Sequence, residues 1–342
     1  KAGIEVRMIT GDHTITARAI ADDLGLGAGV ITGKQFDQLS DGELTERIPD
    51  LHVFGRVSPQ DKIRLVSVMQ ETGQIVAMTG DAVNDAAALK KADIGVAMGS
   101  GSEVSKQAAK MILTDDNFAT LVHAVELGRD IYDKVKAYIG YQLSSMFGLL
   151  ALMLLATIFN INKGVALSPG MILYTSLFIS VFPVLAIMND EPDPDLMLRP
   201  PRDPKVPVFN PATGIRWVVV GILLGVCGLI PLVWGPDDPQ IDAPSASMTM
   251  TYAVTALATV GLGFVNRRDP GPFWQGPVHP FFVWLSVPAV ITWLGVELPV
   301  LQRWLDTATL TGSQWLAVVA LAVVVPILVE AEKAYRRHRM ST

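Results

Sequence analysis

The chain has 342 residues, half of them hydrophobic, with 27 Lys and Arg against 33 Asp and Glu and a formal net charge of −6. No basic stripe is present to neutralise phosphates, which excludes nucleic acid as a partner. A single cysteine, Cys227, excludes an intrachain disulfide; it lies in the apolar run GILLGVCGLIPLVW and reads as a buried, inert thiol.

These averages combine two unlike halves. Most of the charge lies before about Lys136, and from about Ala137 long apolar runs alternate with short connectors rich in Pro, Gly and Asp. The mean hydropathy of +0.38 is high for a soluble protein and points to several membrane spans. The opening KAGIEVRMITGD carries no initiator Met and no signal peptide, and it starts in mid-domain; a fragment is expected.

In chain order, short apolar or β-branched runs at 6–9, 52–57, 75–78, 94–97 and 111–113 alternate with helical stretches at 14–24, 59–71, 84–91 and 102–109. Strands that are continuously apolar between helices imply a parallel sheet covered on both faces, with chemistry gathered at the carboxyl ends of the strands. From Phe118 a helix runs without a breaker to Asn160, charged and amphipathic first, then apolar for long enough to cross a bilayer. Further spans centre near Leu177, Gly225, Thr255, Trp284–Trp293 and Ala320, giving six, each within reach of the ~20 residues that a bilayer requires. The expected fold is therefore an α/β domain over 1–130 followed by an all-α membrane domain over 131–342, with the lipid bilayer as partner.

Orientation follows from the connectors. LRPPRDPK (198–205), NRRDP (266–270) and EKAYRRHRM (332–340) carry the basic residues, while the intervening loops are neutral or acidic. The positive-inside rule then puts the α/β domain and the C-terminus in the cytoplasm.

Two TGD triplets, Thr10–Asp12 and Thr79–Asp81, directly follow strands and project from the same sheet edge. In TGDAVND, Asp81 and Asp85 offer hard oxygens four residues apart with Asn84 beside them. That set suits Mg²⁺, which keeps several waters and takes one or two carboxylates plus phosphate oxygens. Thr10, Gly11 and Asp12 place a hydroxyl and backbone amides at a helix start, a ready site for a phosphoryl group. Lys62, near the start of its own helix, supplies a positive charge. Taken singly each feature has a plainer reading: TGD as a helix cap and Lys62 as a solvated lysine. GAGVITGKQ (27–35) fails as a Walker A loop, because Ala28 stands for Gly and no Ser or Thr follows Lys34; His13 and His123 read as surface residues.

The ordered set is more specific. MITGD (8–12), GRVSPQDK (55–62), MTGDAVNDAAALKKADIGVAMG (78–99) and SEVSKQAAKMILTDDNFATLVHAVELGRDIYDKVK (102–136) together resemble the P-type ATPases, in particular their calcium-pump-like subgroup. FPVLAIMNDEPDPDLMLRPPRDP (182–204) and EAEKAYRR (330–337) are similar to that family's membrane half. The resemblance implies a partial HAD-like, Rossmann-type phosphorylation domain followed by six transmembrane helices, and an ion-translocating ATP hydrolase of a bacterial plasma membrane. It implies that Asp81, with Asp85, holds Mg²⁺. Thr10, Gly11 and Lys62 would hold the phosphoryl group with Asp12 in the same motif, and Asn84, also phosphate-binding, and Asp85 would order the loop and the phosphate shell. ATP would act as substrate through a nucleotide-binding domain, and a cation would be the cargo.

The sequence departs from the family in three respects. No DKTGT occurs, so the phosphorylated Asp has no counterpart and the chain alone is expected to be inactive. Ala82 and Ala87 replace the Gly and Pro of DGVNDAPAL; Ala82 is harmless if its φ is negative. The family's membrane carboxylate and amide positions fall on Met146, Leu149, Ser176, Ile179, Ser180 and Val260, leaving an ion path of Gln142, Ser145, Ser176 and Ser180. Two alternatives therefore stand beside the pump. One is a non-catalytic, degenerate membrane fragment or interaction protein; the other is a membrane-tethered phosphatase lacking a recognisable DxD nucleophile.

Overall fold

The computed structural model describes residues 2–203, 205–238, 243–275 and 279–341. The chain divides into two compact units, Lys1–Leu127 with Met197–Val206, and Gly128–Leu196 with Pro207–Thr342.

The first unit alternates strands and helices: β1 Met8–Thr10, α1 Thr14–Asp23, β2 Val30–Thr32, α2 Gly33–Gln38, α3 Asp41–Arg47, β3 Val53–Gly55 and α4 Pro59–Glu71. Then follow β4 Ala77–Gly80, α5 Ala86–Lys91, β5 Ile94–Met98, α6 Glu103–Ala108 and β6 Met111–Leu113. All strand pairs are parallel. The single sheet expected from the sequence is instead two three-stranded sheets, ordered β1-β3-β2 and β4-β5-β6. In register, Ile9 and Ile31 both lie opposite Phe54, and Met78 lies opposite Gly95. Val53 and Phe54 of the central β3 are fully buried, whereas β1 and β4, which share no hydrogen bonds, are half-exposed edges. Ile9 nevertheless packs against the cores of both sheets.

Three elements escape a reading by hydrophobic runs. The GAGVITGKQ stretch (27–35), which fails as a Walker A loop, contains β2 and leads into α2, and α3 follows at once. Their signal was in the caps: Thr32 pairs with Gln35, and Ser40 with Glu43, each in a reciprocal capping box. Ser58 and Asp61 close the same motif at the start of α4, with Pro59 at its first position. The helix expected over 84–91 begins as a tight turn, Val83–Asp85, before α5. Ala82 has φ −92° and ψ 155°, a conformation open to any residue, so alanine in place of the family's glycine is accommodated.

α7, Phe118–Ile158, is one unbroken helix of 41 residues that starts in the first unit and ends in the second. The second unit continues with α8 Pro169–Tyr174, a π-helical turn Thr175–Ile179, α9 Val181–Met188, α10 Pro211–Trp234 and α11 Ala246–Asn266. It ends with α12 His279–Glu297, α13 Pro299–Leu305 and α14 Gly312–Ser341. Among the described residues five helical segments are long and apolar enough to cross a membrane, and the pair α12–α13, bent by 86°, makes a sixth if counted as one span. The expected six agree with this count.

The threonine-rich α11 is the innermost of these helices: 83 % of its most apolar stretch is buried. It packs on α10, α12 and α14. Thr255 and Thr259 each donate a hydroxyl to the carbonyl one turn back, at 2.8 Å, so these side chains are satisfied on their own helix. α7 and α10 meet through small residues. A Cβ on Gly225 would lie 2.8 Å from the Leu152 nitrogen, and one on Gly221 would lie 2.9 Å from the Ser144 oxygen. Close backbone approach of this kind is how helices gain packing in lipid, where no hydrophobic force drives them together. Cys227 on α10 is buried, as expected.

At one end of the second unit, Asp269 collects cations from three helices: Lys136 of α7 at 3.7 Å, Arg216 of α10 at 3.2 Å, and Arg336 of α14. Glu332 joins Arg216 and Arg336 at 3.2 and 2.7 Å. Asp190, after α9, pairs with Arg267 and Arg268 at 2.6 and 3.3 Å.

Candidate functional site

The carboxyl ends of β1 and β4 and the start of α4 open on one cavity of about 500 Å³ within the first unit. Parallel strands leave their terminal loops and the following helix starts on the same edge, which is why the two TGD triplets meet there. Of the residues singled out from the sequence, Thr10, Gly11, Lys62, Asp81, Asn84 and Asp85 line this cavity; Thr79, Gly80 and Ala82 complete the lining on the β4 side. Asp12 is not part of the lining. Its N–H donates to the Thr10 hydroxyl at 3.0 Å, and its carbonyl accepts from the Arg56 N–H at 3.0 Å, so it shapes the turn that presents Thr10. Arg56, which sequence reasoning passed over, holds a left-handed φ of 53° at this turn.

Lys62 and Asp85 form an ion pair at 2.5 Å, with 14 % and 8 % of their side chains exposed. The lysine is positioned by the capped first turn of α4, and the aspartate by the tight turn after β4. Gly80 is required beneath them, because a Cβ there would sit 2.6 Å from the Asp85 Cβ. Asp85 is buried, whereas Asp81 and Asn84 are exposed toward solvent. The arrangement therefore divides the two carboxylates: Asp85 is held by a cation and Asp81 is open.

That donor set fits Mg²⁺. Among the described residues no three His, Cys, Asp or Glu side chains converge, so an ion here would take most of its shell from water or phosphate oxygens. Mg²⁺ is the ion that prefers this. Asp81 is the carboxylate available to it, with the amide of Asn84 and the hydroxyl of Thr10 on the same cavity.

In the membrane unit the four path residues separate into two pairs. Gln142 and Ser176 are exposed, while Ser145 and Ser180 are half-buried. Tyr141, fully buried, reaches Ser180 of the second pair. Its phenol donates to the Ser180 carbonyl at 3.3 Å, and the Ser145 hydroxyl lies beside it without completing a hydrogen bond. Ser180 also gives its N–H and hydroxyl to the Thr175 carbonyl, at 2.9 and 3.1 Å, closing the π-helical turn. Tyr141 was missed because a tyrosine in an apolar helix reads as packing.

Residues 164–335 match the family described as cation transporting ATPase, C-terminus, and residues 1–93 and 64–125 match two families of haloacid dehalogenase-like hydrolases. A calcium-transporting ATPase of Bacillus subtilis is 36 % identical over 98 % of this chain and 38 % of its own length. An endoplasmic reticulum calcium ATPase of Aspergillus fumigatus is 32 % identical over 100 % and 39 %, and a probable cation-transporting ATPase F of Mycobacterium tuberculosis is 34 % identical over 99 % and 38 %. The chain thus spans a little over a third of the length of these relatives. With a HAD-like unit, a set of apolar helices and matches along both, the chain belongs to the cation-transporting P-type ATPases and corresponds to their carboxyl-terminal portion.

Proposed function

We propose that this chain supplies the phosphate-facing part of the phosphorylation site, and the carboxyl-terminal part of the membrane pathway, of an ATP-driven cation pump. The observation that carries this reading is the cavity that gathers Thr10, Gly11, Lys62, Asp81, Asn84 and Asp85 from the end of β1, the first turn of α4 and the turn after β4. In that reading Thr10 and Gly11 hold phosphoryl oxygens, Lys62 neutralises them, Asp81 holds Mg²⁺, and Asn84 and Asp85 order the loop. Bound Mg²⁺ supplies positive charge to the transferring phosphoryl group. Asp85 keeps Lys62 aimed at the cavity, and the turn at Asp12 keeps the Thr10 hydroxyl there. The phosphorylated aspartate of a DKTGT motif has no counterpart in this sequence, so the activity is proposed for this chain acting with a segment that carries one. The unpaired edges of β1 and β4 both run into the cavity and offer backbone to such a segment.

The cargo is proposed to be a cation held by hydroxyls and carbonyls around Tyr141, Ser145 and Ser180. Among the described residues no Asp or Glu stands in the middle of a span. A divalent ion desolvated without carboxylates would be poorly compensated, so the calcium named for the relatives is not carried over. The basic connectors support a cytoplasmic α/β unit and C-terminus, and the bacterial sources of several relatives support a bacterial plasma membrane. A second reading, a degenerate fragment without turnover, draws on the apolar positions Leu149, Ile179 and Val260.

The test is acid-stable labelling by γ-labelled ATP after joining the chain to a DKTGT-bearing segment. Phosphoenzyme should form and fall at least tenfold in Asp81→Asn. Absence of label in the joined wild-type protein would establish the degenerate reading instead.

A further inference from the structure

Ser105 on α6 is fully buried, which is uncommon for serine, and its hydroxyl donates to the Ala82 carbonyl at 2.6 Å. The Ser102 hydroxyl lies 2.7 Å from that of Ser105, and the Ser105 N–H donates back to Ser102 at 3.2 Å. Ser105 has one hydroxyl proton and gives it to Ala82, so Ser102 must be the donor of the pair. A directed relay results, from the Ser102 hydroxyl to the Ser105 hydroxyl to the Ala82 carbonyl, in which each bond polarises the next. The preceding carbonyl is held from the same turn: the Ser102 N–H donates to the Asp81 oxygen at 2.8 Å.

The clamp is itself anchored. The Gly99 N–H donates to Leu113 at 2.7 Å, the Ser100 N–H to the Asp116 carboxylate at 3.1 Å, and the Gly101 N–H to Met98 at 3.0 Å. At Gly101 a Cβ would sit 3.1 Å from the Asp81 Cα, so the turn lies directly against the loop it holds. Two consecutive carbonyls, of Asp81 and Ala82, are thus fixed from behind, while the Asp81 side chain is left facing the cavity. Ala82 is exposed and has no side chain able to fix the loop itself.

We propose that Ser105 is a positioning residue of the phosphorylation site: through the Ser102–Ser105 relay it fixes the Asp81–Ala82 backbone and so keeps the Asp81 carboxylate presented to Mg²⁺. The proposal rests on the Mg²⁺ role given to Asp81 above. A serine that only filled space would be replaceable by alanine without effect on the ion.

The experiment uses the full chain in detergent, with Ser105→Ala, Ser105→Cys, Ser102→Ala and Asp81→Asn. Amide hydrogen exchange over 79–85 is read beside Mg²⁺ affinity, with Mn²⁺ as the spectroscopic probe. Ser105→Ala should speed exchange in the loop about tenfold with β5 unchanged, and weaken Mg²⁺ binding about three- to tenfold; Ser105→Cys, a weaker donor of similar size, should fall between. Ser102→Ala removes only the first donor of the relay and carries the test if Ser105→Ala does not fold. If Asp81→Asn loses Mg²⁺ while both serine variants bind as wild type with unchanged loop exchange, the positioning role is overturned and the site stands. If Asp81→Asn binds Mg²⁺ as wild type does, the site reading falls and takes this proposal with it.

Discussion

Lys62 and Asp85 come from turns 23 positions apart and meet as a nearly buried ion pair. Breaking such a pair strands the other charge, so Asp85→Ala should destabilise the α/β unit by about 3 kcal/mol. The double variant Lys62→Met with Asp85→Leu should lose less than the two single losses added together. Chemical denaturation followed by circular dichroism reads both outcomes. Gly80→Ala forces its new Cβ against Asp85, and is expected to lower stability by about 1–3 kcal/mol while weakening Mg²⁺ binding. Legibility at this scale divides by how each residue acts. Thr10, Lys62, Asp81, Asn84 and Asp85 announce themselves through residue type and local motif. Ser105 and Tyr141 act through bonds to Ala82 and Ser180, 23 and 39 positions away, and their residue types alone do not announce those partners.

At the scale of elements, α1, α4, β5 and β6 were legible because an apolar run and a helix start coincided. β2, α2 and α3 were not: β2 sits in a Gly-rich stretch that reads as a loop, and the mostly polar α2 and α3 gave a signal only in their capping pairs. The two separate sheets were illegible for a different reason: sequence shows that strands exist but not which edges stay unpaired. Among the membrane helices the seam of α7 and α10 leaves no room for added volume at its glycines. Gly225→Leu would drive a side chain into the backbone at Gly148 and Leu152, and should lower the thermal midpoint of the detergent-solubilised protein by several degrees. Leu223→Ala, half-buried on the same helix, should cost less.

For the molecule as a whole, the ends of α7, α10 and α14 are tied through Asp269, on the connector after α11. Burial would raise the Asp269 carboxyl, but Arg216, Arg336 and Lys136 outweigh it and hold the group at about 2. A folded value below the ordinary 3.8 means stabilisation that is complete above pH ~4 and lost as pH falls toward 2. Its size is about 2 kcal/mol. Thermal unfolding of the membrane unit should therefore be flat from neutral pH to about 5 and decline below 4, and Asp269→Asn should flatten that decline while lowering stability at pH 7. α11 bears on how the chain is made. It is the least apolar of the five long spans among the described residues and the most enclosed, and its most extensive packing is on α14, which follows it in sequence. During synthesis α11 emerges before the helix that covers it, with its threonines facing lipid or the insertion machinery. Its lasting residence in the bilayer then depends on the thirty residues of α14, Gly312–Ser341, so a ribosome that stops short of α14 should release a product marked for degradation even though every residue lining the cavity of the first unit has been made.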